Sequence, residues 1–317
     1  MDPLVADVAA YALRQVDRVA GELGTPVSLS SYRPYHSSGE DFLCDMVGMI
    51  GIPVEMYPDW AQAKTVLLTE AAKYDPGIVP KIEQHLRAGD NVVISSGLLR
   101  ALEDQGMNQI TDIRLTGHVL AATSYVAGFG SGAGSELAGS QNAILFPEVH
   151  FYTNEDWAVV RGLAAGRGVP LLLMDKYGEG TLYVWTVPED LNDLCRLPSG
   201  VLDDIRRQLE PGLPVRLEGP AEVSLFTYDN DTFVVESYLD HPVAVRITGS
   251  FGHIQNLITG VTLTGDPVTT RFFPPRRSET AQAPHQYGFD LQIEPCSLPR
   301  AAVSRPTISL DVSNEIG

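Results

Sequence analysis

Apolar and polar positions follow two rhythms along the chain. Between Lys64 and Gly97 three apolar blocks succeed one another: Val66-Leu67-Leu68, then Ile78, Val79, Ile82 and Leu86 at helical spacing, then Val92-Val93-Ile94. Short continuous runs suit strands buried on both faces, and the 3.6-residue period between them suits a helix. Asp75-Pro76 reads as an N-cap acceptor followed by the first helical residue, and Gly89 as the C-terminal stop. Two parallel strands joined by a helix need a right-handed crossover, so this stretch predicts an open α/β sheet. Ligands of such sheets sit beyond the carboxyl ends of the strands. Here those ends carry Thr69 and Glu70, then Ser95, Ser96 and Gly97.

The pattern extends in both directions. An apolar stripe through Leu4, Val8, Ala12, Val16, Val19 and Leu23 predicts one amphipathic helix over 3–23. A strand is expected at 26–30, a helix at 42–51 and a second strand at 52–56. Residues 110–123 give one or two strands, and 143–152 and 158–163 give others. The glycine-dense stretch 128–139 reads as a mobile loop without phosphate-loop character. Residues 170–188 read as a hairpin turning at Tyr177-Gly178-Glu179-Gly180, and 201–209 as a closing helix. Beyond the Pro211-Gly212-Leu213-Pro214 linker the helical period disappears. Short strand-like runs at 221–228, 232–238, 243–249, 261–265 and 289–295 predict an antiparallel sandwich, with 273–286 as an exposed loop. The expected organisation is a connector helix over 1–24, an α/β domain over 25–210 and a β-sandwich over 214–317.

A chain of 317 residues has room for two such domains. No apolar run approaches the roughly 18 residues of a membrane span. The N-terminus lacks the basic region and apolar core of a secretory leader. A net charge of −18 argues against nucleic acid or an anionic membrane surface as partner. Cys44, Cys195 and Cys296 are far apart and odd in number, which suits neither a disulfide framework nor a metal site; a reducing cytoplasm is expected. No cofactor is predicted.

Chemistry-bearing residues concentrate in two places. The polar segment 30–41 follows the first strand and opens a helix, where an α/β sheet places a ligand loop. Arg33, His36, Glu40 and Asp41 supply hydrogen-bonding groups for a hydroxyl-rich ligand there, with Tyr32 or Tyr35 as a stacking face. The competing reading is helix capping, since Ser37 with Glu40, or Ser38 with Asp41, has capping-box spacing. For catalysis the candidates are Glu70, Ser96, Glu148 and His150. Ser96 stands at a strand-to-helix turn, but Ile94 and Leu98 occupy positions where a nucleophile elbow carries glycines; a helix N-cap explains Ser95 or Ser96 more simply. Glu148 and His150, two apart in a strand, share a face as an acid–base pair would. Trp157 and Trp185 are read as core residues.

The stretch VLLTEAAKYDPGIVPKIEQHLRAGDNVVISSG and the hairpin DKYGEGTLYVWTVP resemble the amidotransferase-like trimerisation domain of β-galactosidases. The following SLFTYDNDTFVVESYLDHPVAVRITG and FDLQIEPCSLPRAAV resemble the small β-sandwich at the end of multidomain glycoside hydrolases. The resemblance implies a flavodoxin-like open parallel sheet followed by an antiparallel β-sandwich. Class I glutamine amidotransferases carry a cysteine nucleophile at the elbow where this chain has Ser95-Ser96, so glutaminase chemistry is not expected. β-Galactosidases of this kind do their chemistry in a preceding (β/α)8 barrel of about 250 residues, for which this chain has no room. The resemblance therefore implies a non-catalytic, carbohydrate-associated module that forms homo-oligomers or associates with a glycosidase catalytic domain. The alternative is a hydrolase acting on glycosides at the strand ends, which would need two carboxylates about 5–10 Å apart in an open cleft.

Overall fold

The computed structural model describes residues 14, 17, 19–127, 135–153, 156–164, 166–210, 212–268, 286–294 and 302–306. Most of the predicted 3–23 helix, most of the glycine-dense loop and nearly all of the 273–286 loop lie outside the described residues, as does Cys296. The chain divides into two compact units. One is Ser28–Leu213 with Gly219–Ser224; the other is Met1–Val27, Pro214–Glu218 and Leu225–Gly317.

The first unit is built on a nine-stranded sheet. Its strands are β1 (Leu29–Tyr32), β2 (Val54–Tyr57), β3 (Thr65–Leu68), β4 (Asn91–Ser95), β6 (Ser124–Ala127), β7 (Ser135–Leu137), β9 (Trp157–Ala164), β10 (Arg167–Tyr177) and β11 (Gly180–Trp185). β5 (Arg114–Ala122) and β8 (Ile144–His150) pair separately as a two-stranded sheet. The large sheet runs β2-β1-β3-β4-β11-β10-β9-β6-β7. Strands β2, β1, β3, β4 and β11 are mutually parallel. The next four are antiparallel, so the sheet is mixed: the predicted 170–188 hairpin forms the turn from its parallel to its antiparallel half. The cause is local: β10 and β11 are joined through the two residues Gly178-Glu179, and so short a connection permits only antiparallel pairing. The segment read as loop at 135–137 is strand β7, paired with β6.

The buried alternation is visible residue by residue. Val66, Leu68, Val92, Ile94, Leu182 and Val184 face one core, together with Ile78, Ile82 and Leu86 from the Ile78–Arg87 helix. Leu67, Val93, Tyr183 and Trp185 face the other, with Leu43 and Val47 from the Leu43–Met49 helix and Val201, Leu202 and Ile205 from the Ser199–Leu209 helix. Trp185 is core as expected, but Trp157 is 38% exposed. The Ile78–Arg87 helix starts later than read. Asp75 does not cap it; its Oδ1 accepts the Gly77 N–H at 2.8 Å, closing a turn that keeps Pro76 outside the helix.

The second unit holds two antiparallel sheets. β12 (Val215–Glu218), β15 (Val243–Gly249), β19 (Gln286–Ile293) and β18 (Asp266–Val268) form one, in that order. β13 (Val223–Thr227), β14 (Phe233–Ser237), β20 (Ala302–Pro306), β16 (His253–Asn256) and β17 (Thr262–Thr264) form the other. The segment ahead of β1 joins this unit: Pro26 bridges Tyr228, and Val27 N–H donates to Thr227 O at 2.8 Å. No helix among the described residues is long and apolar enough to cross a membrane.

Candidate functional site

In the parallel half of the sheet the chain leaves β1 toward β2 on one side and leaves β3 toward β4 on the other. Such a reversal of strand order opens a crevice at the carboxyl ends. The residues at those ends are Glu40 from the segment after β1, Thr69 and Glu70 after β3, and Ser95, Ser96 and Gly97 after β4.

Three groups from distant parts of the sequence meet here. The Glu40 carboxylate accepts the Glu70 N–H at 2.8 Å and the Ser95 hydroxyl. The Gly97 N–H also bonds it, and the carboxylate lies so close that a Cβ at Gly97 would stand 2.3 Å from Glu40 Oε1. Burial raises the Glu40 pKa, and the neighbouring Glu70 carboxylate adds to the rise; the bonds from Ser95, Glu70 N–H and Gly97 N–H oppose it. Glu70 itself pairs with Lys73 at 2.7 Å. Ser95 is the N-cap of the Ser96–Leu102 helix, its Oγ accepting Leu98 N–H at 3.1 Å. Ser96 is 3% exposed and its hydroxyl accepts the Val187 N–H at 3.2 Å. Neither serine has the left-handed backbone of a strained turn, and neither presents a free hydroxyl to solvent. Ser95 donates to the Glu40 carboxylate, but with both serines buried the elbow position presents no accessible nucleophile.

The 30–41 segment is braced from within. Arg33 pairs with Asp41 and also donates to Asp41 O at 3.3 Å and Ser37 O at 3.4 Å. Ser37 donates to Pro34 O, and Ser38 meets the Tyr74 hydroxyl at 3.1 Å. The capping-box reading is thus overturned: the Leu43–Met49 helix has Phe42 at its N-cap and no side-chain cap. His36 and Glu40 take left-handed backbone, at φ 58° and 49°, not the extended or helical conformation of a capping box. Tyr32 is buried rather than offered as a stacking face; its ring packs edge-on against Trp60 at 5.6 Å and its hydroxyl donates to Asp75 at 2.9 Å. His36 and Tyr35 are exposed, Tyr35 to 75%, as is Phe42, to 68%.

Below Tyr32, Asp75 also receives Lys81 Nζ at 2.6 Å. Burial alone would raise the Asp75 pKa, but the bonds from Lys81, Gly77 N–H and Tyr32 outweigh it and hold it low. A depressed carboxylate contributes stability that is present above the ordinary carboxylate value and lost as pH falls through the depressed one. Asp75→Asn is therefore expected to lower unfolding free energy near neutral pH, and the gap to the unaltered protein should close in strong acid. Urea titrations across that range check this; a gap that is constant with pH contradicts it.

Glu148 lies elsewhere, on the two-stranded sheet. Its carboxylate accepts Thr116 Oγ1 at 2.8 Å, contacts His118 Nδ1 at 3.2 Å and has Arg167 at 4.0 Å. The imidazole beside Glu148 is thus His118 and not His150, whose ring stands edge-on to Tyr152 at 5.2 Å. Hydrogen bonds from Thr116 and His118 lower the Glu148 pKa, the reverse of what a general acid needs near neutral pH. A cleft of about 340 Å3 opens among Asn108, Thr111, Asp112, Asp156, Asp175 and Lys176, none of them a predicted site residue. Among the described residues no group of His, Cys, Asp and Glu is arranged to hold a metal ion.

Two family models match the chain. One, described as "Probable glycosyl hydrolase, C-terminal domain", covers residues 214–299. The other, described as "Uncharacterized protein SSO3021, second domain", covers residues 22–190. Among curated proteins none matches the sequence. In structure the chain is similar to the β-galactosidase from Bacillus circulans sp. alkalophilus, with a TM-score of 0.50 and 13% identity, over 93% of this chain and 44% of that one. It is also aligned with a GH42 β-galactosidase from G. stearothermophilus, with a TM-score of 0.49 and 11% identity, over 93% of this chain and 42% of that one. The chain thus spans less than half the length of these enzymes. The C-terminal match bears out the resemblance to the rear part of β-galactosidase-type glycoside hydrolases.

Proposed function

The chain belongs to the family described as "Uncharacterized protein SSO3021, second domain", which covers residues 22–190, and from the glycosyl hydrolase C-terminal match over 214–299 we propose that it is a non-catalytic, carbohydrate-associated accessory and oligomerisation module. The finer fold assignment goes with this reading. The parallel order β2-β1-β3-β4-β11 is that of flavodoxin-like sheets, which class I glutamine amidotransferases share, with the thiol at the elbow replaced by Ser95. One observation carries the proposal. Glu40 and Glu70, the two carboxylates brought together at the strand ends, are engaged by the chain's own donors. A glycosidase pair must face substrate across an open cleft.

The exposed Tyr35 and Phe42 give the 33–42 segment an apolar outer side. Large apolar side chains left on a surface suit contact with another molecule. In the accessory reading they meet a second copy of this chain, a glycosidase catalytic domain or a glycan, with Arg33, His36 and Asp41 as the polar rim. Light scattering is expected to give a mass that is a multiple of 34.4 kDa. A strict monomer at high concentration counts against assembly.

The alternative is a glycoside hydrolase with its site at the strand ends; of its candidates Glu70, Ser96, Glu148 and His150, Glu148 has an imidazole neighbour, His118. Incubated with a panel of aryl glycosides, the protein and its Glu148→Gln variant are expected to release the same background level of phenol. Turnover by the unaltered protein that disappears in the variant would overturn the accessory reading.

A further inference from the structure

Strand β2 (Val54–Tyr57) ends the large sheet, and among the described residues nothing pairs with its outer side. Its bonds to β1 fix which groups face that side. Leu29 N–H donates to Pro53 O at 2.9 Å, and Arg33 N–H donates to Tyr57 O at 2.8 Å. Backbone groups alternate in direction along a strand. Pro53, Glu55 and Tyr57 therefore turn theirs toward β1, and Val54 and Met56 turn theirs outward. An edge with free N–H and C=O groups is a template for another strand, and edges that stay solitary are blunted by lysine, a bulge or proline. Pro53 and Pro58 keep this edge short. Yet neither outward residue is charged, and Met56 is a large apolar side chain left 50% exposed.

We propose that β2 pairs with the β2 of a second copy of this chain, antiparallel about a twofold axis through Met56. This rests on the oligomerisation part of the proposed function and gives it a contact. A strand that closes on its own copy about a twofold axis runs antiparallel to it, and outward groups must meet outward groups, so the axis passes through a residue. An axis through Glu55 would set two carboxylates directly opposite each other, which is destabilising. An axis through Tyr57 would set Glu55 against the second copy's Asp59. An axis through Val54 would call on Ile52, whose N–H is already given to Val47 O at 3.1 Å. Through Met56, the two methionines meet on one face, and on the other Glu55 lies opposite the second copy's Tyr57. Glu55 accepts its own Tyr57 hydroxyl at 2.7 Å, so the group it faces across the axis is a hydrogen-bond donor and not a second charge. That counts in a chain of net charge −18, whose copies otherwise repel.

Cysteine cross-linking reads the axis directly. Opposed residues of a hydrogen-bonded antiparallel pair have Cα atoms about 5.5 Å apart, within disulfide reach. Under mild oxidation Met56→Cys is expected to give a disulfide-linked dimer, twice the chain mass of 34.4 kDa. Tyr57→Cys is not, because Tyr57 and its copy would stand about 8 Å apart. The unaltered protein, which carries Cys44, Cys195 and Cys296, sets the background. Without oxidant, Met56→Lys brings two like charges together at the axis and should raise the dimer dissociation constant about tenfold or more in sedimentation equilibrium. No cross-link above background from Met56→Cys, equal cross-linking from both cysteines, or an unchanged dissociation constant in Met56→Lys overturns the proposal. A multimer in light scattering that Met56→Cys fails to cross-link overturns this contact alone and leaves the oligomerisation reading standing. A strict monomer removes both and leaves the edge to a different chain.

Discussion

Replacing Arg206 with alanine is expected to destabilise the protein by about 3–5 kcal/mol, the range for removing one partner from a buried ionic network. Arg206 projects from the Ser199–Leu209 helix and is 0% exposed. Its guanidinium donates to Ile50 O at 2.7 Å, Gly219 O at 2.7 Å and Pro220 O at 3.1 Å, and pairs with Asp203 at 2.7 Å. Asp203 in turn accepts the Gly219 N–H at 3.0 Å. Alanine would strand three carbonyls and take a charged partner from Asp203, and each unsatisfied buried group costs about 1–3 kcal/mol. Arg206→Lys should recover only part, because one ammonium cannot reproduce a planar fork of five donors. Equilibrium urea unfolding measures both; a loss below about 1 kcal/mol in the alanine variant would show that the network is dispensable.

The second large effect is expected at Gly180. This residue opens β11 directly after the two-residue hairpin connection, where it pairs with Tyr177. A Cβ there would stand 2.3 Å from Asp90 O and 2.5 Å from Leu86 O. Both are backbone atoms at the end of the Ile78–Arg87 helix and the entry to β4, so no side-chain rotation relieves the clash. Gly180→Ala is expected to cost about 3 kcal/mol, the upper end for overpacking a well-filled interior. Gly48 is the contrast. It sits inside the Leu43–Met49 helix with nothing within 4 Å of an added Cβ, so Gly48→Ala should stabilise by about 0.5–1 kcal/mol. Thermal denaturation of the two variants should move in opposite directions; equal shifts would mean that backbone proximity at Gly180 does not matter.

Periodicity along the chain was enough to find the strand–helix–strand unit, because Val66–Leu68 and Val92–Ile94 are fully buried and nothing competes with their pattern. It was enough for Val243–Gly249 as well, whose alternating burial is the ordinary signature of a half-solvated sheet. It missed strands such as Asp266–Val268, which is largely exposed and so carries no apolar rhythm. In the antiparallel half of the large sheet it found the 170–188 hairpin but not the pairing of the strands beyond it, since a run of buried residues does not reveal strand direction. The site was harder. Glu40 and Ser95 are 55 residues apart and meet only because β1, β3 and β4 are neighbours with a common direction. The usable signal was the order of loops after parallel strands, which all open at one edge. Glu148 misled in the opposite way. Its partner His118 lies across a strand irregularity between Leu115 and Val119, which two-residue spacing cannot anticipate, whereas nearby His150 is spent on Tyr152.

The course of the chain after the proline-rich stretch bears on how the protein can be divided. Val215–Glu218 belongs to the β-sheet unit, but Gly219–Ser224 returns to the α/β unit and supplies two of the carbonyls that Arg206 grips. At the other end, the residues up to Val27 are counted with the β-sheet unit. A single cut between 210 and 214 would consequently orphan both pieces, one deprived of the carbonyls its arginine grips and the other of the segment that bridges Tyr228. Recombining or grafting either half calls for two junctions, with 219–224 carried along with the first.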